Sequence, residues 1–208
     1  MHRIYINPLP VRVWHWINAF GFLALIFTGV HIRYVGIFDL MSFRTAVTVH
    51  NWVGFVLIAD YFVWLLFYLT SDKIKNYLPD LDARRLFTKA FRQVRYYGYG
   101  MFVGESEPHK VTPYDKFNPM QAMLYSVVML LVLPVQFYTG ILLWDVERFS
   151  AQVAFFGGVR IVDTIHVLLF AFFIVYIFMH AYLGALGRPW TAHYKAMFTG
   201  WEEEPEER

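Results

Sequence analysis

Four long stretches of the chain, residues 13–32, 45–69, 119–144 and 161–186, are almost continuously apolar, and the segments between them are polar. An α-helix of about 20 apolar residues crosses a hydrocarbon core about 30 Å thick. The pattern therefore predicts an all-α membrane protein, a single domain built as a four-helix bundle. The first span opens with Arg12, Trp14 and Trp16, an anchoring cation and two interfacial indoles, and no small-residue cleavage site follows it. It reads as an uncleaved span rather than a signal peptide. Pro134 marks a kink in the third span. Two of the connections are short, 70–117 forms one long loop, and 187–208 forms a tail. Within the loop, 81–95 place Leu86, Phe87, Ala90 and Val94 on one helical face, with Arg84, Arg85, Lys89, Arg92 and Arg95 mostly around the other. That is the pattern of an amphipathic helix in the headgroup layer, or of a solvated basic loop. The run Tyr96-Tyr97-Gly98-Tyr99-Gly100 then returns the chain toward the membrane.

Composition agrees: of 208 residues, 58% are hydrophobic, 20% aromatic and only 16% charged, which excludes an ordinary soluble domain. A net charge of +2 gives no footing for a nucleic-acid partner. Lysine and arginine number 14 in the amino-terminal arm, long loop and tail, against 4 in the two short loops. By the positive-inside rule both termini and the long loop are cytoplasmic. The chain has no cysteine, so disulfides, cysteine-ligated iron–sulfur clusters and covalently attached haem are excluded within it.

Candidate chemistry rests on histidine. His166 and His180 stand fourteen positions apart in span four, a separation of about 21 Å that returns to nearly the same helical face. One imidazole then lies near each membrane surface, and each can be an axial ligand to haem iron. His15 lies near the start of span one, on the side of His180; His50 lies near the start of span two, on the side of His166. His31 is sixteen residues beyond His15 and faces nearly the opposite way. It is expected at the interface or beside a haem propionate rather than on iron. Gly54, one turn from His50, would let a flat macrocycle approach the backbone, though such a glycine also serves plain helix packing. Asp60 is an intramembrane carboxylate suited to a proton relay or to a structural hydrogen bond. Span three has no histidine.

These motifs resemble the prokaryotic di-haem cytochrome b subunits that anchor formate dehydrogenases, nickel–iron hydrogenases and thiosulfate reductases. The likeness covers nearly the whole chain. It is carried by Pro10-Val11-Arg12-Val13-Trp14-His15-Trp16, by His50, by Lys116-Phe117-Asn118-Pro119-Met120-Gln121, by His166 and His180, and by Met197-Phe198-Thr199-Gly200-Trp201. It is greatest to the thiosulfate-reductase type, through Tyr5-Ile6-Asn7-Pro8-Leu9-Pro10 and Arg95-Tyr96-Tyr97-Gly98-Tyr99-Gly100. Met120 stands where formate dehydrogenase anchors carry a glycine of the quinone pocket.

The resemblance implies two haem b groups, held by His50 with His166 and by His15 with His180. It also implies a quinone, menaquinone or ubiquinone, hydrogen-bonded by Asn118 and Gln121. Arg12 and Arg160 are candidates to neutralise haem propionates, or to meet lipid headgroups. Asn118 before Pro119 is equally a helix cap. The expected partner is an iron–sulfur or multihaem subunit on the outer face, touching Phe38, Asp39, Asp145, Glu147 or Arg148, with a catalytic subunit beyond it. Substrate chemistry then lies outside this chain. Two other classes compete: a proton channel or transporter using the histidines and Asp60, and a haem-free structural anchor. The first lacks an inverted repeat or broken spans.

Overall fold

The ends of the four membrane helices are set by caps rather than by where apolarity stops. In the computed structural model, which describes residues 2–37, 40–71, 82–106, 108–109, 116–186 and 190–204, a short strand β1 (His2–Tyr5) precedes helix α1 (Leu9–Arg33). α1 begins four residues before the apolar run, because Pro8 is extended and Pro10 falls in the first turn, where no N–H is needed. Helix α2 (Phe43–Thr70) starts at Ser42, whose hydroxyl accepts the Thr45 N–H at 3.1 Å. Helix α3 (Ala83–Arg95) lies in the long loop and runs into a π turn, Tyr96–Gly100. The membrane helix α4 covers Pro119–Trp144, the short α5 covers Ser150–Phe155, and α6 covers Val159–Gly184. Helix α7 (Ala192–Thr199) and strand β2 (Trp201–Glu204) complete the chain. α1, α2, α4 and α6 are each long and apolar enough to cross a membrane.

α1 packs along α2, and the second half of α4 packs along α6. The two pairs meet through an aromatic core that includes Tyr61, Trp64, Tyr68, Met129, Leu133 and Phe173. Phe173 sits midway between His166 and His180, is buried, and packs on Phe22 of α1 with ring centroids 5.0 Å apart.

The expected irregularity in span three appears as a π segment, Val128–Val132, just before Pro134. Its cause is local. The Leu133 N–H reaches back to the Val128 carbonyl, and Pro134 has no N–H. The Met129 carbonyl is thereby stripped of both helical donors, and Tyr61 of α2 supplies a replacement, its hydroxyl donating at 3.0 Å inside the core. Tyr61→Phe should leave that carbonyl buried and unpaired, at a cost of about 1–3 kcal/mol. A fall in thermal unfolding temperature with unchanged helix content is the expected reading; an unchanged temperature would show that the carbonyl finds another donor.

The amino-terminal arm and the tail are sewn together, a feature the hydropathy pattern does not announce. β1 and β2 pair antiparallel, with Tyr5 opposite Trp201 and Ile4 opposite Glu202. Gly200 closes α7 with φ 89°, and a Cβ there would stand 2.6 Å from the Tyr5 ring, so the turn requires glycine. Asn7, fully buried, donates to the Ala196 carbonyl at 3.2 Å and accepts from Lys116. Trp16 donates to the Met197 carbonyl at 3.0 Å and stacks on Phe198.

α3 presents two stripes rather than one apolar face. Gln93 is buried against the protein, while Phe87, Phe91 and Val94 are exposed. Phe38, Asp39, Glu206 and Glu207, like 72–81 and 110–115 of the long loop, lie outside the described residues.

Candidate haem-binding site

Four of the histidines meet in two pairs. His15 of α1 faces His180 of α6 with ring centroids 6.1 Å apart, and His50 of α2 faces His166 of α6 at 6.4 Å. The ring planes are 46° apart in the first pair, on the side of the termini, and 67° in the second, at the far side. His180 is exposed and the other three are half-buried. α6 contributes one imidazole to each pair because fourteen residues bring a helix back to the same face.

The separations suit a flat metal complex. A metal ion bonded to both facing imidazoles, at about 2.0 Å to each nitrogen and about 1.2 Å more to each ring centre, would need the two centres roughly 6.4 Å apart. Imidazoles paired for their own sake would stack or hydrogen-bond directly. Among the described residues no group of three or more His, Cys, Asp or Glu is placed to hold a bare metal ion. Each pair offers two donors, which is what an ion already ringed by four macrocycle nitrogens needs. The residues present therefore fit haem.

Groups from the neighbouring helices hold the rings. Thr28 of α1 lies 2.9 Å from His50 Nδ1, and Thr139 of α4 lies 3.0 Å from His166 Nδ1. The Gln136 amide is 3.3 Å from His166 Nε2, and the Tyr125 hydroxyl is 3.3 Å from His180 Nδ1. His15 Nδ1 is buried without a partner among the described residues. Gly29 and Gly140 abut the imidazoles: a Cβ on them would come to 3.5 Å and 3.3 Å of the Cε1 atoms of His50 and His166. Space lies open beside Gly54, where a Cβ would meet nothing within 4 Å.

Asn118 and Gln121 form a capping box at the start of α4. The Asn118 Oδ1 accepts the Gln121 N–H at 2.9 Å, and the Gln121 Oε1 accepts the Asn118 N–H at 3.1 Å. Asn118 Nδ2 donates to the Tyr97 hydroxyl at 3.2 Å, leaving the Gln121 NH2 as the donor outside the cap. Gln121 is one turn before Tyr125 and so on the helical side that reaches His180. Arg12 donates to the Phe198 carbonyl, and its Nε is buried without a partner among the described residues. Arg160 is exposed in the first turn of α6. Asp60 accepts a hydrogen bond from Asn18, which also donates to the Trp14 carbonyl at 3.0 Å, so the carboxylate ties α2 to α1.

His31 departs from expectation. It is 6% exposed, with a buried Nδ1 that has no partner among the described residues. A helix's rotation fixes which way a side chain points but not how many neighbours surround the helix. At its far end α1 has α2 along one side and α6 on another, where Arg33 pairs with Asp163 at 3.6 Å, so opposite faces are both covered.

The supporting groups Thr28, Thr139, Gln136 and Tyr125 were not apparent from the histidine pattern. Their only sequence signal is small or polar residues inside apolar spans, which at helix interfaces serve packing and hydrogen bonding generally. The dipeptide Thr-Gly, at 28–29 and 139–140 within the spans as well as at 199–200 in the tail, is the sharper part of that signal.

Membrane helices that hold facing imidazoles between them define a class, the helical membrane b-type cytochromes. The family description "Prokaryotic cytochrome b561" matches residues 7–200, and the chain belongs to that family. It is 31% identical over 201 residues to the Escherichia coli (strain K12) protein named "Putative cytochrome YdhU", covering 96% of this chain and 74% of that one. A shorter match, 55% identical over 29 residues, joins it to the "Probable Ni/Fe-hydrogenase B-type cytochrome subunit" of Rhizobium leguminosarum bv. viciae, covering 14% of this chain and 12% of that one. No solved structure matches the chain. The protein is thus a multi-pass membrane cytochrome of electron transfer, with b-type haem as its cofactor.

Proposed function

We propose that this chain is the di-haem, quinone-reactive membrane anchor of a respiratory oxidoreductase complex, carrying electrons between an outer-side redox subunit and the quinone pool. The observation that carries the reading is the pair of imidazole clefts, 6.1 and 6.4 Å across, at opposite ends of one helix bundle. His50 and His166 hold the outer haem, and His15 and His180 the inner one. Bound there, haem supplies one-electron exchange between ferric and ferrous iron. Among the chain's own residues, Gln121 NH2 and Asn118 Nδ2 hydrogen-bond the quinone carbonyls near His180, where water at the headgroup layer exchanges the two protons that accompany two electrons. Arg12 and Arg160 neutralise the propionates at the two faces.

The positive-inside count puts the termini, the long loop and the quinone edge in the cytoplasm. The partner docks on the opposite face, over Asp145, Glu147 and Arg148 together with Phe38 and Asp39. Phe155, 83% exposed at the end of α5, adds an apolar anchor there. That partner is an iron–sulfur or multihaem subunit with the catalytic subunit beyond it, in line with the hydrogenase association in the name of the Rhizobium relative. The test is haem content with subunit composition. A purified complex with about two non-covalent haem b per chain and its partner on the outer face supports the reading. A haem-free chain, or a partner seated on the cytoplasmic face, sinks it.

A further inference from the structure

The far-side imidazoles are served by the same dipeptide from two different helices. Thr28-Gly29 of α1 faces His50, and Thr139-Gly140 of α4 faces His166. Each threonine hydroxyl also reaches its own helix backbone, at 2.8 Å to the Ala24 carbonyl and 2.9 Å to the Val135 carbonyl. A hydroxyl has one hydrogen, and a carbonyl can only accept. With that hydrogen committed to the backbone, the threonine oxygen meets the imidazole as an acceptor. Nδ1 must then carry the ring proton, and Nε2 is bare.

Gln136 lies beside His166 as well, its amide 3.3 Å from Nε2. The glycines complete the cradle by letting the Cε1 edge of each ring rest against helix backbone, which a methyl at Gly140, 3.3 Å from His166 Cε1, would push away. The termini-side pair is built differently, with a tyrosine hydroxyl on His180 and a buried His15 Nδ1 that has no partner among the described residues.

We infer that Thr28 and Thr139 are positioning residues of the outer haem site, fixing His50 and His166 as Nδ1–H tautomers with Nε2 presented to iron and making that site electronically distinct from the inner one. The inference rests on the ligand assignment proposed above. An Nδ1–H held by an oxygen makes Nε2 a stronger donor, and a stronger donor favours ferric over ferrous iron. Losing both hydrogen bonds should therefore raise the potential of the outer haem alone.

The experiment compares the full chain in membranes with the paired variants Thr28→Val/Thr139→Val and Thr28→Ser/Thr139→Ser, by redox titration and by low-temperature electron paramagnetic resonance of the ferric haems. The outer signal is identified as the one missing from His50→Ala. In the valine pair the ferric-over-ferrous preference of the outer haem should fall about tenfold, a rise of about 59 mV for a one-electron couple. Its largest g value should move as the rings, 67° apart here, are freed to turn. The inner signal should stay in place, reporting intact folding, and the serine pair should restore both readings. Loss of the outer haem in the valine pair, recovered in the serine pair, supports the same conclusion. An outer potential and g value unchanged by valine, or serine behaving as valine does, would overturn it. If His50→Ala instead keeps two bis-histidine haems, it is the ligand assignment that fails.

Discussion

His166→Ala is expected to retain about one haem b per chain in place of about two, with the remaining haem still bis-histidine and still reducible by quinol. His180→Ala should do the converse: it retains the outer haem and loses reduction by quinol. The asymmetry follows from α6, which contributes one of the proposed ligands to each pair, so that neither substitution removes both sites. Alanine deletes the imidazole without a replacement donor. The facing ring is left with one bond to iron, and the Thr139 hydroxyl and Gln136 amide that now contact His166 lose that partner. Haem content by pyridine haemochromogen, read with the electron paramagnetic resonance spectrum, checks both. Either variant keeping both haems with unchanged spectra would show that the 6.1 and 6.4 Å clefts are not the iron sites. His31→Ala serves as the comparison: although buried, His31 pairs with no second histidine among the described residues, and both haems should stay.

The second large effect concerns Gln121. In the capping box its Oε1 is engaged by the Asn118 N–H, so Gln121→Leu would confound a broken cap with a lost quinone contact. Gln121→Glu separates them. The carboxylate keeps an oxygen for the Asn118 N–H and exchanges the NH2 that stands outside the cap for a charged oxygen that can only accept. The expected result is a fall of about tenfold in quinone-linked kcat/KM, the equivalent of one hydrogen bond worth about 1.4 kcal/mol. Haem content and thermal stability should be unchanged. Full turnover in Gln121→Glu, with sensitivity to quinone-site inhibitors retained, would move the quinone elsewhere, most directly beside the His50–His166 pair.

Much of this architecture is legible in the sequence because a membrane simplifies the problem. Apolar runs long enough to span can only be helices, and two histidines fourteen apart on such a helix must share a face. Three things were hidden. The helix starts at Leu9 and Phe43 depend on proline and serine caps, which hydropathy does not weigh. The interior position of His31 depends on how many helices surround α1. The β1–β2 ribbon pairs residues nearly two hundred positions apart through an acidic segment, Trp201–Glu204, of poor strand propensity. At the candidate haem site the paired histidines could be read but not the groups beside them. Threonine and glutamine in an apolar span announce an interhelical contact without naming its partner.

The packed rings of Phe22 and Phe173, midway between the two imidazole pairs, bear on what this bundle must not do. Electrons tunnel through close-packed matter, whereas protons need an unbroken file of water or exchangeable groups. Phe173 is only 3% exposed, and neighbouring Tyr61 has its hydroxyl proton committed to the Met129 carbonyl. The two rings themselves carry no exchangeable proton, and they fill the space between α1 and α6 at this level. A chain that carries electrons across an energised membrane, as proposed, has to be insulated against the ion gradient there, and these two phenylalanine rings contribute to that insulation.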